Sequence, residues 1–192
     1  MSETTSDPGR ADADRRRDDI LDAAGDVIRT TGLERASMAT FAERAGISRA
    51  TLYRAFSSRA EVHRAFIDRE SRRLAAEIAN ELEEPAAPHD RLERALLLSL
   101  EKVRADPALA AWFRVNDAGV AAQLGNRSEM VVTITRALVE ELGTHAPDAE
   151  LASRWLVRCI TSLLADPGRD AEEEVALIRR FIVPSVLVGQ AR

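Results

Sequence analysis

Side chains that carry chemistry are scarce in this sequence. There is one cysteine, Cys159, with three histidines, two tryptophans and one tyrosine, and aromatic residues make up 4% of the chain. A single cysteine excludes an intramolecular disulfide. His63, His89 and His145 fall on different expected elements, so they assemble neither a metal-ligand cluster nor a catalytic dyad. No G-x-S-x-G, P-loop or H-E-x-x-H motif occurs, so the sequence implies no enzyme, no metal and no cofactor. The opening MSETTSDPGR is polar and acidic rather than basic then apolar, and apolar runs such as 181–189 are far too short to span a bilayer. A cytoplasmic location is the expectation. Cys159 sits among apolar helix positions, which suits a structural thiol better than a redox sensor.

Glycine and proline are also few, at 9 and 7, while alanine, leucine, arginine and glutamate dominate. These residues favour helix over strand, and 45% hydrophobic composition is enough to bury a core, so the expected class is all-α. The formal net charge of -5 argues weakly against a nucleic-acid partner, yet the charge is unevenly spread. Between Arg35 and Arg64 there are six arginines against two carboxylates, Glu43 and Glu61. The acidity lies elsewhere.

That basic segment contains SMATFAERAGISRATLYRAF, residues 37–56. Met38, Phe41, Ala42 and Ala45 recur at helical spacing, with Ser37 suited to cap the helix and Gly46 to end it at positive φ. Ser48 can cap a second helix that turns Ile47, Leu52 and Phe56 inward and Ala50, Tyr53 and Arg54 outward, flanked by Arg49 and Thr51. Helix, tight glycine turn and short basic helix form a helix-turn-helix, whose second helix enters the major groove of DNA. An ordinary helical hairpin fits the pattern too.

Residues 16–66 resemble the N-terminal domain of the tetracycline-repressor (TetR) family of transcriptional regulators. Ile20, Ala23, Ala24, Gly32, Phe41, Ala42, Ala45-Gly46-Ile47-Ser48, Thr51-Leu52-Tyr53 and Phe56 stand in that family's order. Two departures stand out: Ala55 replaces a larger residue, so any backbone contact it would make is lost, and Arg59 replaces the usual lysine. The resemblance implies an N-terminal three-helix DNA-binding domain followed by a C-terminal helical ligand-binding and dimerisation domain, about nine helices in all. It implies phosphate contacts from Tyr53, with Ser48, Thr51, Arg59 and Thr40 as further backbone contacts. Arg49, Ala50 and Arg54 are placed for base edges.

The rest of the chain fits that plan. Residues 1–14 lack apolar periodicity and are expected to be a disordered tail; 15–60 form the DNA-binding domain and 61–192 the remainder. Arg15-Arg16-Arg17 opens helix 1, either as a solvated start or as an arm on DNA. Helix 4 runs from Ser58, whose spacing to Glu61 suits a capping box, to about Glu84 before Pro85 and Pro88, long enough to belong to both domains. Further helices are expected over 90–104, after Pro107, and over 128–142 and 148–164, with the last starting near Ala171. Helix 148–164 and the last helix are apolar over much of their circumference, which points to a homodimer through the final pair, unless the former is simply the central core helix. Such a dimer demands a pseudo-palindromic double-stranded operator with half-sites about 34 Å apart. Trp112, Phe113, Asn116, Trp155 and Arg158 are the candidate lining of a small-molecule effector site. The expected function is a dimeric repressor released from DNA by a small molecule. The alternative is a helical ligand- or partner-binding protein with a vestigial head.

Overall fold

The computed structural model describes residues 8–82, 87–113, 128–143 and 148–187. Every regular element among them is helical, and the chain divides into two compact units, Met1–Phe66 and Ile67–Arg192.

In the first unit α1 (Pro8–Thr31) starts earlier than its apolar stripe does. Arg15 and Arg16 both pair with Asp12, at 3.5 and 3.0 Å, so ion pairs at helical spacing support turns that apolar periodicity does not mark. The tail expected over 1–14 is therefore helical from Pro8 onward; residues 1–7 lie outside the described residues. Ile20, Leu21, Ala24, Val27 and Ile28 of α1 are buried with Leu33, Phe41, Leu52 and Phe56. α2 (Met38–Arg44) and α3 (Arg49–Ala55) follow, then α4 (Arg59–Glu81), within which the two units divide. Gly25 is where α1 meets α4: a Cβ there would lie 2.9 Å from the Phe66 ring, so glycine permits the close approach.

The second unit contains α5 (Pro88–Ala105), then α6 (Pro107–Ala110), which runs into a 3₁₀ turn, Ala111–Phe113. α4 ends before Pro88 as expected, and α5, expected from residue 90, begins at Pro88 itself, where the missing N–H is not needed. α7 (Glu129–Glu141) is capped by Ser128, whose hydroxyl accepts from Val131 N–H and donates to Asp68 on α4 at 2.8 Å. α8 spans Asp148–Ala165. The last helix, α9, comprises Ala171–Leu177, a π-helical turn over Ile178–Ile182 and a final turn, Val183–Val186. Val183 N–H reaches back to Ile178 O, widening the helix just ahead of Pro184, whose ring and absent N–H do not fit a regular α-helical ladder.

Leu92, Leu96 and Leu100 of α5 pack with Leu156 of α8 and with Ile178 and Ile182 of α9 into this unit's core. Two bidentate pairs join α5 to α9. Arg104 grips Glu174 through two 2.7 Å bonds, and Arg179 grips Glu93 at 2.8 and 2.7 Å. The last helix, expected to be apolar over much of its circumference, turns Arg179 and Arg180 outward beside Phe181.

Candidate nucleic-acid interface and ligand cavity

The local chemistry of the helix-turn-helix is capping at each joint. Ser37 and Thr40 form a reciprocal capping box: Ser37 Oγ accepts from Thr40 N–H at 3.2 Å, and Thr40 Oγ1 accepts from Ser37 N–H at 2.9 Å. Gly46 has φ of 64°, and the chain turns there so that Ile47 N–H bonds to Ala42 O at 3.0 Å. Ser48 then caps α3 by accepting from Thr51 N–H at 3.1 Å.

α3 is held from below. Leu52 and Phe56 are buried at 0% and 1% exposure, and the Arg17 guanidinium lies over the Phe56 ring at 4.1 Å while donating to Ala55 O. Arg17 thus clamps the end of α3, so within the Arg15–Arg17 run, expected as a solvated start or as an arm on DNA, this residue is neither. With the apolar side fixed, Arg49, Ala50, Tyr53 and Arg54 are all exposed on the opposite side, Tyr53 by 53%. Among the described residues neither Arg49 nor Arg54 pairs with a carboxylate; Arg54 donates only to Thr51 Oγ1, at 3.2 Å. The stripe carries unneutralised positive charge.

The flanking candidates are less free. The Thr40 hydroxyl is half-buried and spent inside its capping box. Arg59 donates to Leu33 O at 2.8 Å and approaches His63 Nε2 at 3.5 Å, so part of its guanidinium fixes the start of α4. Ser58 caps α4 as expected, but Glu61 returns its carboxylate to Ser57, accepting from its hydroxyl at 2.8 Å and its N–H at 2.6 Å, which together hold its pKa below the usual carboxylate value. His63 is buried against the Phe41 ring edge, and burial, assisted by Arg59, lowers its pKa to about 4. It is a neutral packing residue.

The second unit encloses a cavity of about 390 Å³ bordered by α4, α5, α6 with its 3₁₀ turn, α7 and α8. That volume suits a small organic molecule. Of the lining expected from sequence, Trp112 and Phe113 border it, while Asn116 lies outside the described residues. Trp155 and Arg158 do not border it; α8 contributes Leu156, Val157, Ile160, Thr161 and Leu164 instead. The correction is geometric, because those positions share one helix face and 155 and 158 share another. Trp155 is 47% exposed there, its indole N–H bonded to Ser185 Oγ at 2.9 Å. The sequence reading missed the α4 and α5 walls, although Leu74, Ile78 and Leu82 were already apparent as an apolar stripe on a helix too long for the head alone. Cys159, partly buried, has its thiol pKa pushed up to about 11 by that burial, so it stays protonated and unreactive.

Capped hairpin, buried support and an unpaired basic stripe on a short second helix define a helix-turn-helix DNA-binding regulator. Residues 20–66 match the model of the bacterial regulatory proteins, tetR family. An uncharacterised HTH-type transcriptional regulator of Mycobacterium tuberculosis is 39% identical over 175 residues, covering 91% of this chain and 87% of that protein. A TetR transcriptional regulator from Rhodococcus sp. RHA1 superposes with a TM-score of 0.70 at 22% identity, covering 93% of this chain and 99% of its own. The TetR family repressor AlkX from Dietzia sp. superposes at 0.65 and 22%, covering 88% and 95%. The chain belongs to the TetR family of bacterial transcriptional regulators.

Proposed function

We propose that the protein is a homodimeric cytoplasmic repressor that reads a pseudo-palindromic operator with α3 and releases it when a small molecule fills the cavity of the second unit. The observation that carries the DNA-reading half is the exposed, unneutralised stripe Arg49, Ala50, Tyr53 and Arg54 standing on a buried Leu52 and Phe56. In this reading Tyr53, Ser48 and Thr51 position the helix on phosphates, with Thr40 and Arg59 at the margin, and Arg49 and Arg54 read base edges. A guanidinium bidentate to guanine contributes about 1–3 kcal/mol of discrimination. Ala50 leaves room for close approach.

Exposed apolar residues on the last two helices support the dimer. Leu151 and Trp155 on α8 and Phe181 on α9 are exposed by 67%, 47% and 67% in the isolated chain. Large apolar side chains in that position favour self-association. The effector half rests on the cavity itself and on α4, which buries Val62 and Phe66 in the first unit and lines the cavity from Ile67 to Leu82 in the second. A coupling of about 1–3 kcal/mol between ligand and operator is enough for a 5- to 150-fold change in affinity.

Electrophoretic retardation of DNA from the region upstream of the coding sequence tests the reading. Retardation at submicromolar protein that weakens steeply with salt is expected. Exchange of both Tyr53 and Arg54 for alanine should abolish it while leaving the melting temperature in place. Retention of the complex by that double variant would overturn the assignment of α3.

A further inference from the structure

The cavity's polar groups sort its possible occupants, on the reading that this unit receives a small molecule. Most of the wall is apolar, from Ile67 and Leu74 on α4 through Leu96 on α5 and Trp112 to Ile134 on α7 and Ile160 on α8. Among the described residues three ionisable side chains border it: Glu70, Arg91 and Glu141. Glu70 is buried and has both oxygens occupied, one by Arg69 at 3.2 and 3.1 Å and the other by Arg73 at 2.7 Å. Ser99 and Thr135 donate their hydroxyl protons to their own helices, to Ala95 O and Val131 O, each at 2.8 Å.

Arg91 differs. One of its Nη groups pairs with Glu141 at 2.8 Å, but its Nε is fully buried and, among the described residues, meets no hydrogen-bond acceptor. A buried charged donor without an acceptor is costly, so an occupant that supplies an acceptor at that point gains what the empty site forgoes. A cationic head meets Arg91, finds both Glu70 oxygens taken and has to compete with Arg91 for Glu141. A neutral apolar head leaves Nε unsatisfied. A neutral oxygen satisfies it with an ordinary hydrogen bond, and an anionic one with a charge-assisted bond about twice as strong.

The shape limits the rest of the molecule. On α5 the lining runs from Arg91 to Val103, about 18 Å at 1.5 Å per residue, and Arg91 stands at one end. The lining is long on α4 as well, from Ile67 to Leu82, about 22 Å, so an elongated occupant follows both helices.

We infer that the cavity binds a straight-chain carboxylate of about a dozen carbons, its head on Arg91 Nε and its chain along α5 toward Trp112. Isothermal titration of the full-length protein with dodecanoate, dodecan-1-ol and dodecylammonium, all below their micellar concentrations, tests this without DNA. Dodecanoate should bind at least about tenfold more tightly than the alcohol or the ammonium. Arg91→Gln should bring the acid to the alcohol's affinity while leaving the alcohol's own affinity within about twofold, which separates loss of the head contact from collapse of the cavity. Glu141→Gln, at an exposed position, should keep or strengthen acid binding, since it frees a guanidinium edge. Equal affinity for the three heads, absence of binding by all three, weakened acid binding in Glu141→Gln, or an acid preference that survives Arg91→Gln would overturn the inference. None of these results touches operator retardation, and failed retardation leaves the titration intact, so the two readings fall separately.

Discussion

At the scale of single residues, two buried charged or titratable groups set measurable behaviour. His63 is 5% exposed, and its pKa falls from 6.5 to about 4 on folding. The folded form therefore binds fewer protons than the unfolded chain between those pH values, and stability drops as pH falls through that window. The shift corresponds to about 3 kcal/mol when complete. Paired carboxylates such as Asp26, Glu61 and Glu174 also have lowered values. Their contribution is lost only as pH falls below the ordinary carboxylate range, so melts between pH 7 and 5 report mainly on the histidine. His63→Phe, which preserves an edge contact to Phe41, should flatten that dependence; an unchanged slope would show that His63 is not its source. The second group is Glu174, 7% exposed and held by Arg104, which keeps its carboxyl below the usual range. Arg104→Ala leaves a buried carboxylate with, among the described residues, only the Gly168 N–H at 3.0 Å. Chemical denaturation should show a loss of about 3 kcal/mol. Replacing both Arg104 and Glu174 by leucine should recover most of it, because an apolar pair needs no partner.

At the scale of elements, the helix-turn-helix depends on Gly46, whose φ of 64° strains any residue with a Cβ although no atom stands within 4 Å. Gly46→Ala should therefore destabilise the first unit by about 1 kcal/mol and no more, measured by thermal melting, because the penalty is backbone strain without a clash. A drop several times larger would mean that the turn also makes contacts. Much of this architecture is legible in the sequence, since caps and breakers act locally. Ser37, Ser48 and Ser128 stand where their helices begin, and Gly32 and Gly46 have positive φ where theirs end. What escapes is long-range. Glu174 reads as a first-turn acid favoured by the helix dipole, yet a partner far away in sequence, Arg104, draws it into the core. Arg17 reads as part of a solvated helix start or of an arm until Phe56 folds beneath it. The broad apolar stripe of α8 reads as one surface, whereas it is two: Leu156, Val157 and Ile160 face the cavity, and Leu151 and Trp155 face outward. Hydrophobic periodicity shows that a face is apolar but not which neighbour covers it.

At the scale of the whole molecule, the proposed dimer converts two weak readings of DNA into one strong one. A single α3 offers few phosphate contacts, but two heads joined through α8 and α9 bind the second half-site at high effective concentration, which raises affinity by about 10²- to 10⁴-fold when the spacing matches. The candidate seam is Leu151, Trp155 and Phe181, all exposed in the isolated chain and supported beneath by the Trp155–Ser185 hydrogen bond and the π turn that precedes Pro184. Carboxylates placed symmetrically across a two-fold axis repel and lose their hydration, so Leu151→Asp combined with Phe181→Asp should split the dimer. Sedimentation should then show one chain where the parent shows two. Operator retardation should weaken by at least about a hundredfold, while binding in the cavity and the melting of the first unit stay near the parent's, because neither side chain lies in the cavity wall or the head. A parent protein that sediments as a single chain while retarding its operator tightly would place the gain in affinity elsewhere, and α8 and α9 would then need another partner for their outward apolar residues.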